Sequence, residues 1–181
     1  MKNMLKLALA LAAYTVVACV LLALVNGKTA PIIAAVKEAA VQESLADLFP
    51  GASFETAPGF APETAGTTTI ETVYLAAKDG QVVGAVAQAT GSTYDKATIL
   101  VGVNADRTLS GIKFMAISDT PGFGQNARKP EFYGQFAGKS ADSPFRVKGD
   151  VEAVSGATIT STGVANILKI TAKVVLDKYL K

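Results

Sequence analysis

The sequence predicts an α+β fold, with an N-terminal transmembrane helix followed by one domain that has an antiparallel sheet and flanking helices. Three observations predict it. An uncharged apolar stretch lies near the N-terminus, the middle of the chain alternates as strands joined by tight turns do, and the C-terminal part repeats apolar side chains at helical spacing. We expect an anchor at residues 1–27, a juxtamembrane helix and linker at 28–69, and the folded domain at 70–181.

The N-terminal stretch from Leu7 to Val25 carries no charge. An α-helix over this span is roughly 28 Å long at about 1.5 Å per residue, which matches a hydrocarbon core of about 30 Å. Because Lys2 and Lys6 precede it, the positive-inside rule predicts a single-pass protein of the cell (inner) membrane, with a cytoplasmic N-terminus and an extracytoplasmic domain. The alternative is a lipoprotein signal cleaved before Cys19. The apolar residues that continue after Cys19 favour an uncleaved anchor.

Residues 28–69 predict a second helix and a linker. Thr29-Ala30-Pro31 is a possible helix start, because proline is tolerated in a first turn. An apolar stripe follows, which we expect to pack on the domain's own sheet before Pro50-Gly51 ends the helix: Ile33, Val36, Ala40, Val41, Leu45, Leu48 and Phe49. Residues 52–69 are rich in Thr, Ala, Pro and Gly, which indicates a loop or linker.

Two hairpins are predicted in the middle of the chain. Ile70–Ala77 and Val82–Gln88 alternate as strands do, and the turn Lys78-Asp79-Gly80-Gln81 separates them. Thr98–Val103 and Thr108–Ile117 repeat this arrangement around residues 104–107. Short strands joined by such turns predict an antiparallel sheet.

The C-terminal part predicts a strand, a turn and a helix. Val151–Val154 reads as a short strand and Ser155-Gly156-Ala157 as a tight turn. A helix then runs to the chain end with these residues on one face: Val164, Ile167, Leu168, Thr171, Val175 and Tyr179. Its start is rich in hydroxyl groups and leaves main-chain N–H groups unpaired, which suits an anion. The alternative is an ordinary hydroxyl N-cap.

The composition excludes several kinds of site. The chain has no histidine, so imidazole bases, His-ligated haem and nearly all catalytic zinc sites are excluded. The single cysteine, Cys19, excludes disulfides, CxxC redox pairs and iron–sulfur clusters. The net charge is +2, and Lys2 and Lys6 account for it, so the domain is neutral and has no basic patch for nucleic acid. A redox role therefore requires an organic cofactor.

Ser155-Gly156-Ala157-Thr158, with Glu152 three positions before the serine, resembles the flavinylation motif of the FMN-binding domain family. That family includes the G subunit of the Rnf electron-transport complex and the C subunit of the sodium-pumping NADH:quinone reductase. The resemblance implies that Thr158 carries FMN through a phosphoester bond made by a flavin transferase. Where this chain has Glu152, the family usually has Asp.

A second stretch, Ser118–Gly124, is by itself a Pro-Gly turn. It also resembles the family's E-T-P-G-hydrophobic-G loop, with Asp119 in place of Glu and Phe123 in place of Leu. The run from Phe132 to Ser140 resembles the family's F-x-x-x-F-x-G-K-S pattern. With the hairpin of Tyr74, the strand of Gly102, the C-terminal motif and the helix before the sheet, the resemblance covers about residues 30–180.

These motifs give the expected site. Next to Thr158, the candidates for holding the phosphate are the N–H groups near Gly156 and Ala157 and the hydroxyls of Ser155 and Thr160. Glu152 is included as the acidic residue of the motif. For contacts to the flavin ring we expect Thr120, Gly122 and Phe123, although Phe123 also fits an ordinary core position. No catalytic acid–base pair and no metal site are predicted.

The resemblance implies an electron-transfer subunit with covalent FMN in a membrane-bound, Rnf-type ferredoxin:NAD oxidoreductase coupled to ion translocation. Its partners would be the other membrane subunits and the flavin transferase. Two alternatives remain within the family: a component like the C subunit of the quinone reductase, or a stand-alone extracytoplasmic flavin carrier. A pilin-like structural protein is an alternative of another class. Pilins usually have an acidic residue near the helix start, and here none precedes Glu38.

Overall fold

The computed structural model describes residues 2–180, which fall into two compact units divided between Val41 and Gln42. The first helix, α1, is Lys2–Leu48, and the side chains of its uncharged stretch Leu7–Val25 are all exposed. An apolar helix that exposes its side chains all round is typical of a membrane span. By length and composition α1 can cross a bilayer. It therefore indicates a membrane anchor.

The second unit is built on six strands: β1 (Ser53–Thr56), β2 (Glu63–Ala65), β3 (Thr68–Lys78), β4 (Gln81–Ser92), β5 (Lys96–Asn104) and β6 (Leu109–Ile117). Their order in the sheet is β1-β3-β4-β5-β6, and β2 also pairs with β3. All pairs are antiparallel, which confirms the predicted sheet.

Both predicted hairpins are confirmed. Asp79 and Gly80 join β3 to β4 with φ angles of 52° and 78°, and two positive φ angles give a turn whose twist matches that of the strands. In the loop from β5 to β6, the Asp106 carboxylate accepts hydrogen bonds from the N–H and the hydroxyl of Thr108, at 3.0 and 2.6 Å. Both loops are formed by residue types that favour turns.

The C-terminal helix, α3 (Thr158–Lys178), packs on one face of the sheet. Its predicted apolar face is buried from Val164 to Val175, whereas Tyr179, the last residue of that face, is half-buried and lies at the C-cap, just after the helix ends. At Gly163 an added Cβ would lie 2.5 Å from the Thr93 Cα and 2.6 Å from the Ser92 carbonyl oxygen. Because glycine has no side chain, the first turns of α3 pack directly against the backbone of the β4–β5 loop.

Three short helical segments lie between β6 and α3. The helix α2 is Pro130–Tyr133, and 3₁₀ turns at Gly124–Arg128 and Gly134–Phe136 flank it. Phe132 and Phe136 from this region are buried in the main core, where their rings meet edge to face at 5.5 Å. The connection is thereby fixed to the sheet.

The end of α1 packs on strand residues that face away from α3. Leu45, Leu48 and Phe49 are buried. A Cβ at Gly84 would lie 2.5 Å from the Phe49 ring, so this strand position must be small. Gly84 and Gly91 lie on opposite faces of β4, and a Cβ at Gly91 would meet Ile167 of α3 at 2.5 Å. Both faces of the sheet are therefore partly covered.

The prediction of a separate helix starting at Thr29-Ala30-Pro31 is wrong, because α1 continues through Pro31. Proline removes one main-chain hydrogen bond, but helix-favouring residues continue on both sides of it. The hydroxyl of Thr29 donates to the Val25 carbonyl at 3.0 Å and adds a local bond next to this point. The apolar stripe is expected to pack on the sheet, but Ile33 and Val36 are exposed.

The prediction that residues 52–69 form a loop or linker is also wrong in part. β1 pairs with the second half of β3, and β2 pairs with its start. Both strands are short and lie at the sheet edge, where Thr and Ala suffice because only one neighbour must be matched.

The predicted strand at Val151–Val154 does not form. Only Val151 makes an isolated bridge, to Val147. The main chain of Glu152 is bound instead by the side chain of Gln135, which accepts from its N–H at 2.8 Å and donates to its carbonyl at 3.1 Å. The Val154 N–H donates to the Ser161 hydroxyl at 2.9 Å. Side chains thus replace the strand partner.

Candidate functional site

A cavity of about 450 Å³ opens at the start of α3. Three segments line it: the β4–β5 loop, the loop after β6, and the turn that leads into α3. The lining residues are Tyr94, Thr120, Phe123, Gly124, Gly156, Ala157, Thr158, Ile159 and Thr160. Its volume lies in the range of about 300–1,000 Å³ that is usual for small-ligand sites.

Thr158 is the first residue of α3, and its side chain is exposed in the cavity wall. The other hydroxyls of this turn are engaged. Thr160 donates to Asp119 at 2.5 Å, Ser161 donates to the Ala157 carbonyl at 3.0 Å, and Thr162 donates to the Thr158 carbonyl at 2.8 Å. Within residues 2–180 the Thr158 hydroxyl makes no hydrogen bond, so among the four hydroxyls from Thr158 to Thr162 it is the one that is free to react or to bind.

The N-cap interpretation of these hydroxyls is wrong. Ala157 occupies the N-cap position, and no side chain caps the helix. The first main-chain bond of the turn runs from the Ser161 N–H to the Ala157 carbonyl, at 3.0 Å. The N–H groups before Ser161 therefore have no carbonyl partner within the helix, and the helix dipole adds partial positive charge there. This end of α3 suits a phosphate group.

Exposed apolar side chains gather around the cavity. Tyr94, Phe123 and Ile159 are 67%, 58% and 62% exposed. Among the described residues from Gln42 onward, Val82 is the one other large apolar side chain with comparable exposure, so three of these four line one cavity. Apolar walls with a few polar groups are the usual lining of a ligand site.

Two glycines shape the wall around Phe123. Gly156 has φ of 74°, and an added Cβ would lie 3.2 Å from the Phe123 ring. Gly122, just before the phenylalanine, has φ of 79°, and its carbonyl accepts a hydrogen bond from the Asn126 side chain at 2.7 Å. The predicted Pro-Gly turn is confirmed, and it directs Phe123 toward the turn that precedes Thr158.

Asp119 lies behind the cavity and is completely buried. Its carboxylate accepts hydrogen bonds from the hydroxyls of Thr93 and Thr160 and from the N–H groups of Tyr94 and Asp95. Burial by itself raises the pKa of Asp119, but these hydrogen bonds together outweigh it and hold the pKa below its ordinary value. The carboxylate is therefore ionised at neutral pH.

The structure brings six of the nine predicted site residues together in the cavity: Gly156, Ala157, Thr158, Thr160, Thr120 and Phe123. Gly122 shapes the turn but does not line the cavity. Glu152 and Ser155 line a different cavity of about 410 Å³, beside Gln135. The hydroxyl of Thr160 is expected to hold phosphate, but its hydrogen is donated to Asp119. Of the groups of Thr160, the main-chain N–H is the one that remains to donate to a phosphate.

The residues that the sequence did not indicate as part of the site are Tyr94, Gly124 and Ile159. Tyr94 is an exposed aromatic in a loop between two strands, and this was the one available signal. Gly124 belongs to the turn motif, but its closeness to Asp119 depends on the fold. Ile159 lies outside the buried face of α3 and is exposed. Its signal in the sequence is an apolar residue directly after Thr158 that does not fit the apolar helical period.

Comparison with known proteins gives matches over most of the chain. Residues 93–173 match the FMN-binding domain family, and residues 1–48 match the RnfG N-terminal region. The chain is 33% identical to the G subunit of the ion-translocating oxidoreductase complex of Pseudomonas aeruginosa, over 90% of this chain and 84% of that protein. It is 35% identical to the G subunit of the proton-translocating ferredoxin:NAD(+) oxidoreductase complex of Clostridium ljungdahlii, over 53% and 55%.

Among solved structures, the chain is similar to NqrC of Shewanella oneidensis, with a TM-score of 0.49 and 24% sequence identity. The similarity covers 57% of this chain and 55% of that one.

Proposed function

The chain belongs to the family of G subunits of ion-translocating oxidoreductase complexes, and we propose that it is the electron-transfer subunit of a membrane-bound ferredoxin:NAD oxidoreductase, with one covalently bound FMN. The match to the G subunit from Pseudomonas aeruginosa over 90% of this chain supports this proposal. The name of the Clostridium ljungdahlii relative supports the ferredoxin and NAD partners. The match of residues 93–173 to the FMN-binding domain family supports the cofactor.

The residues of the cavity fit FMN. Tyr94, Phe123 and Ile159 offer apolar area to a flat ring, and the first turn of α3 offers N–H groups to the phosphate. The observation that carries the covalent attachment is the exposed hydroxyl of Thr158, which is free of hydrogen bonds while the other hydroxyls at the start of α3, those of Thr160, Ser161 and Thr162, are engaged. Bound FMN would supply one- and two-electron transfer there.

Covalent attachment requires a flavin transferase, because no residue of this cavity can activate the hydroxyl. The chain has no histidine, and Asp119, the one buried carboxylate within residues 2–180, already accepts hydrogen bonds from four donors. A phosphoester from the Thr158 Oγ1 atom would keep the cofactor in place outside the cell. The role of this chain is to present the hydroxyl at an exposed helix start and to surround the flavin afterwards.

We place the domain outside the cytoplasm. Lys2 and Lys6 precede the uncharged stretch of α1, and no other charge lies before Lys28. The remaining membrane subunits would donate and accept the electrons.

Membranes from the native producer test the proposed function. Removing this chain should abolish ferredoxin-dependent NAD reduction by the membranes, and supplying the wild-type chain should restore it. NADH-dependent quinone reduction, measured on the same membranes, serves as the control and should not change. Loss of quinone reduction in place of NAD reduction would favour a component like the C subunit of the quinone reductase, and unchanged rates of both reactions would contradict an electron-transfer role in either complex.

A further inference from the structure

One buried carboxylate contacts all three segments that line the flavin cavity. We propose that Asp119 is the positioning residue of this cavity, which holds the β4–β5 loop, its own loop and the first turn of α3 in the arrangement that encloses the flavin. The inference rests on the proposed function only in naming flavin as the occupant. The connection between the three segments is a property of the chain itself.

The β4–β5 loop is attached to Asp119 by three consecutive residues. The Thr93 hydroxyl and the Asp95 N–H donate to Oδ1 at 2.5 and 2.9 Å, and the Tyr94 N–H donates to Oδ2 at 3.2 Å. The loop conformation is therefore set by the carboxylate. Because the main chain of Tyr94 is held in this way, its exposed ring is kept at the edge of the cavity.

The first turn of α3 is attached to the same group. The Thr160 hydroxyl donates to Oδ2 of Asp119 at 2.5 Å, and both residues are buried. Thr160 follows Thr158 by two positions, so this bond fixes the turn that presents the attachment hydroxyl. The close contact of Gly163 with the Thr93 backbone joins the helix to the β4–β5 loop at a second point.

Asp119 also depends on a glycine in its own loop. At Gly124 an added Cβ would lie 2.6 Å from both the Asp119 Cβ and the Thr160 Oγ1. Only glycine therefore lets the chain after Phe123 close over the carboxylate. The loop that carries Thr120 and Phe123 therefore packs closely on the hydrogen bond between Asp119 and Thr160. The same carboxylate holds the other two segments of the cavity.

The number of donors explains why an ionised carboxylate is present. Its two oxygens offer about four acceptor positions, and four donors point at them. A carboxamide of the same size would offer one acceptor oxygen and would place an NH₂ group against other donors. Asp119→Asn is therefore a severe change at this position, although it is nearly isosteric.

Asp119→Asn and the matched control Asp106→Asn, both in the full-length chain, test the inference by hydrogen exchange. Asp106 also accepts two hydrogen bonds in a loop, but at the other end of β5. In Asp119→Asn we expect exchange to become at least about tenfold faster together at Tyr94 and Asp95, at residues 123–126 and at residues 161–164. In Asp106→Asn the change should be confined to residues 105–108.

A purely local or purely global role would give a different result. Faster exchange confined to residues 93–95, or a uniform increase over the whole sheet, would overturn the inference. If Asp119→Asn does not fold, Thr160→Val is the test variant instead, because it removes the Thr160 hydroxyl donor and leaves the Asp119 carboxylate in place. It should accelerate exchange at residues 161–164 and leave Tyr94 and Asp95 unchanged, and the absence of that selective effect would also overturn the inference.

The natively produced, flavin-loaded chains give a second readout. Quenching of flavin fluorescence by iodide should increase several-fold in Thr160→Val relative to wild type and should not change in Asp106→Asn, because only the former loosens the cavity walls. Equal quenching in all three chains would contradict the role in enclosing flavin. If the natively produced wild-type chain carries no flavin, the proposed function is contradicted. Hydrogen exchange would still decide whether Asp119 connects the three segments.

Discussion

Replacing Thr158 with alanine should leave the natively produced chain without covalently attached flavin. The Thr158 hydroxyl is the one that is exposed and free of hydrogen bonds in the first turn of α3, and alanine at the first helical position keeps the helix, because alanine is the strongest helix former. We expect the fluorescence of the denatured band under ultraviolet light to disappear. The free energy of unfolding should change by less than about 0.5 kcal/mol, as is usual for an exposed site.

Two control variants make the result specific to this hydroxyl. Thr158→Ser keeps a hydroxyl at the same position and should retain a fluorescent band. Thr162→Ala removes an exposed threonine one turn later, whose hydroxyl bonds to the Thr158 carbonyl, and it should also stay fluorescent. A fluorescent band from Thr158→Ala would remove this residue from the proposed site.

Deleting residues 2–41 should convert the protein from membrane-bound to water-soluble. These residues contain the uncharged stretch Leu7–Val25, which matches the roughly 20 apolar residues that a spanning helix needs. The residues from Gln42 onward form a compact unit that includes the whole sheet and the buried side chains Leu45, Leu48 and Phe49. After alkaline carbonate washing, we expect nearly all of the full-length chain in the pellet and nearly all of the shortened chain in the supernatant.

Cys19→Ser is the matched control for this deletion. An uncleaved helix holds the chain in the membrane whatever residue stands at position 19, so this variant should remain in the pellet. Release of Cys19→Ser would instead indicate that a lipid on Cys19 anchors the protein. A shortened chain that stays in the washed pellet would contradict anchoring by α1.

Much of the fold could be predicted because its signals are local. The alternation in β3–β6 and the Asp79-Gly80 turn are each contained within a few residues, and the apolar face of α3 is read from one helical period. The edge strands β1 and β2 carry no such pattern, since they are short and are defined by their pairing with β3. Pro31 favours a helix start, but the helix-favouring sequence around it prevails.

The candidate site shows the same division. Thr158 and Phe123 can be found because each lies in a short motif, and the structure places both in one cavity. The role of Asp119 could not be read from the sequence, because its donors come from a loop about 25 residues earlier and a helix 41 residues later. Glu152 and Ser155 belong to the same motif as Thr158, yet the turn at Gly156 separates them into another cavity.

The intact mass of natively produced protein, followed by peptide mapping, tests the covalent attachment most directly. We expect the chain to be heavier than its sequence by one FMN less one water, with the added mass on the peptide that contains Thr158. A natively matured chain with the unmodified mass, or with the flavin on a different residue, would contradict the proposal that Thr158 carries the electron-transferring cofactor.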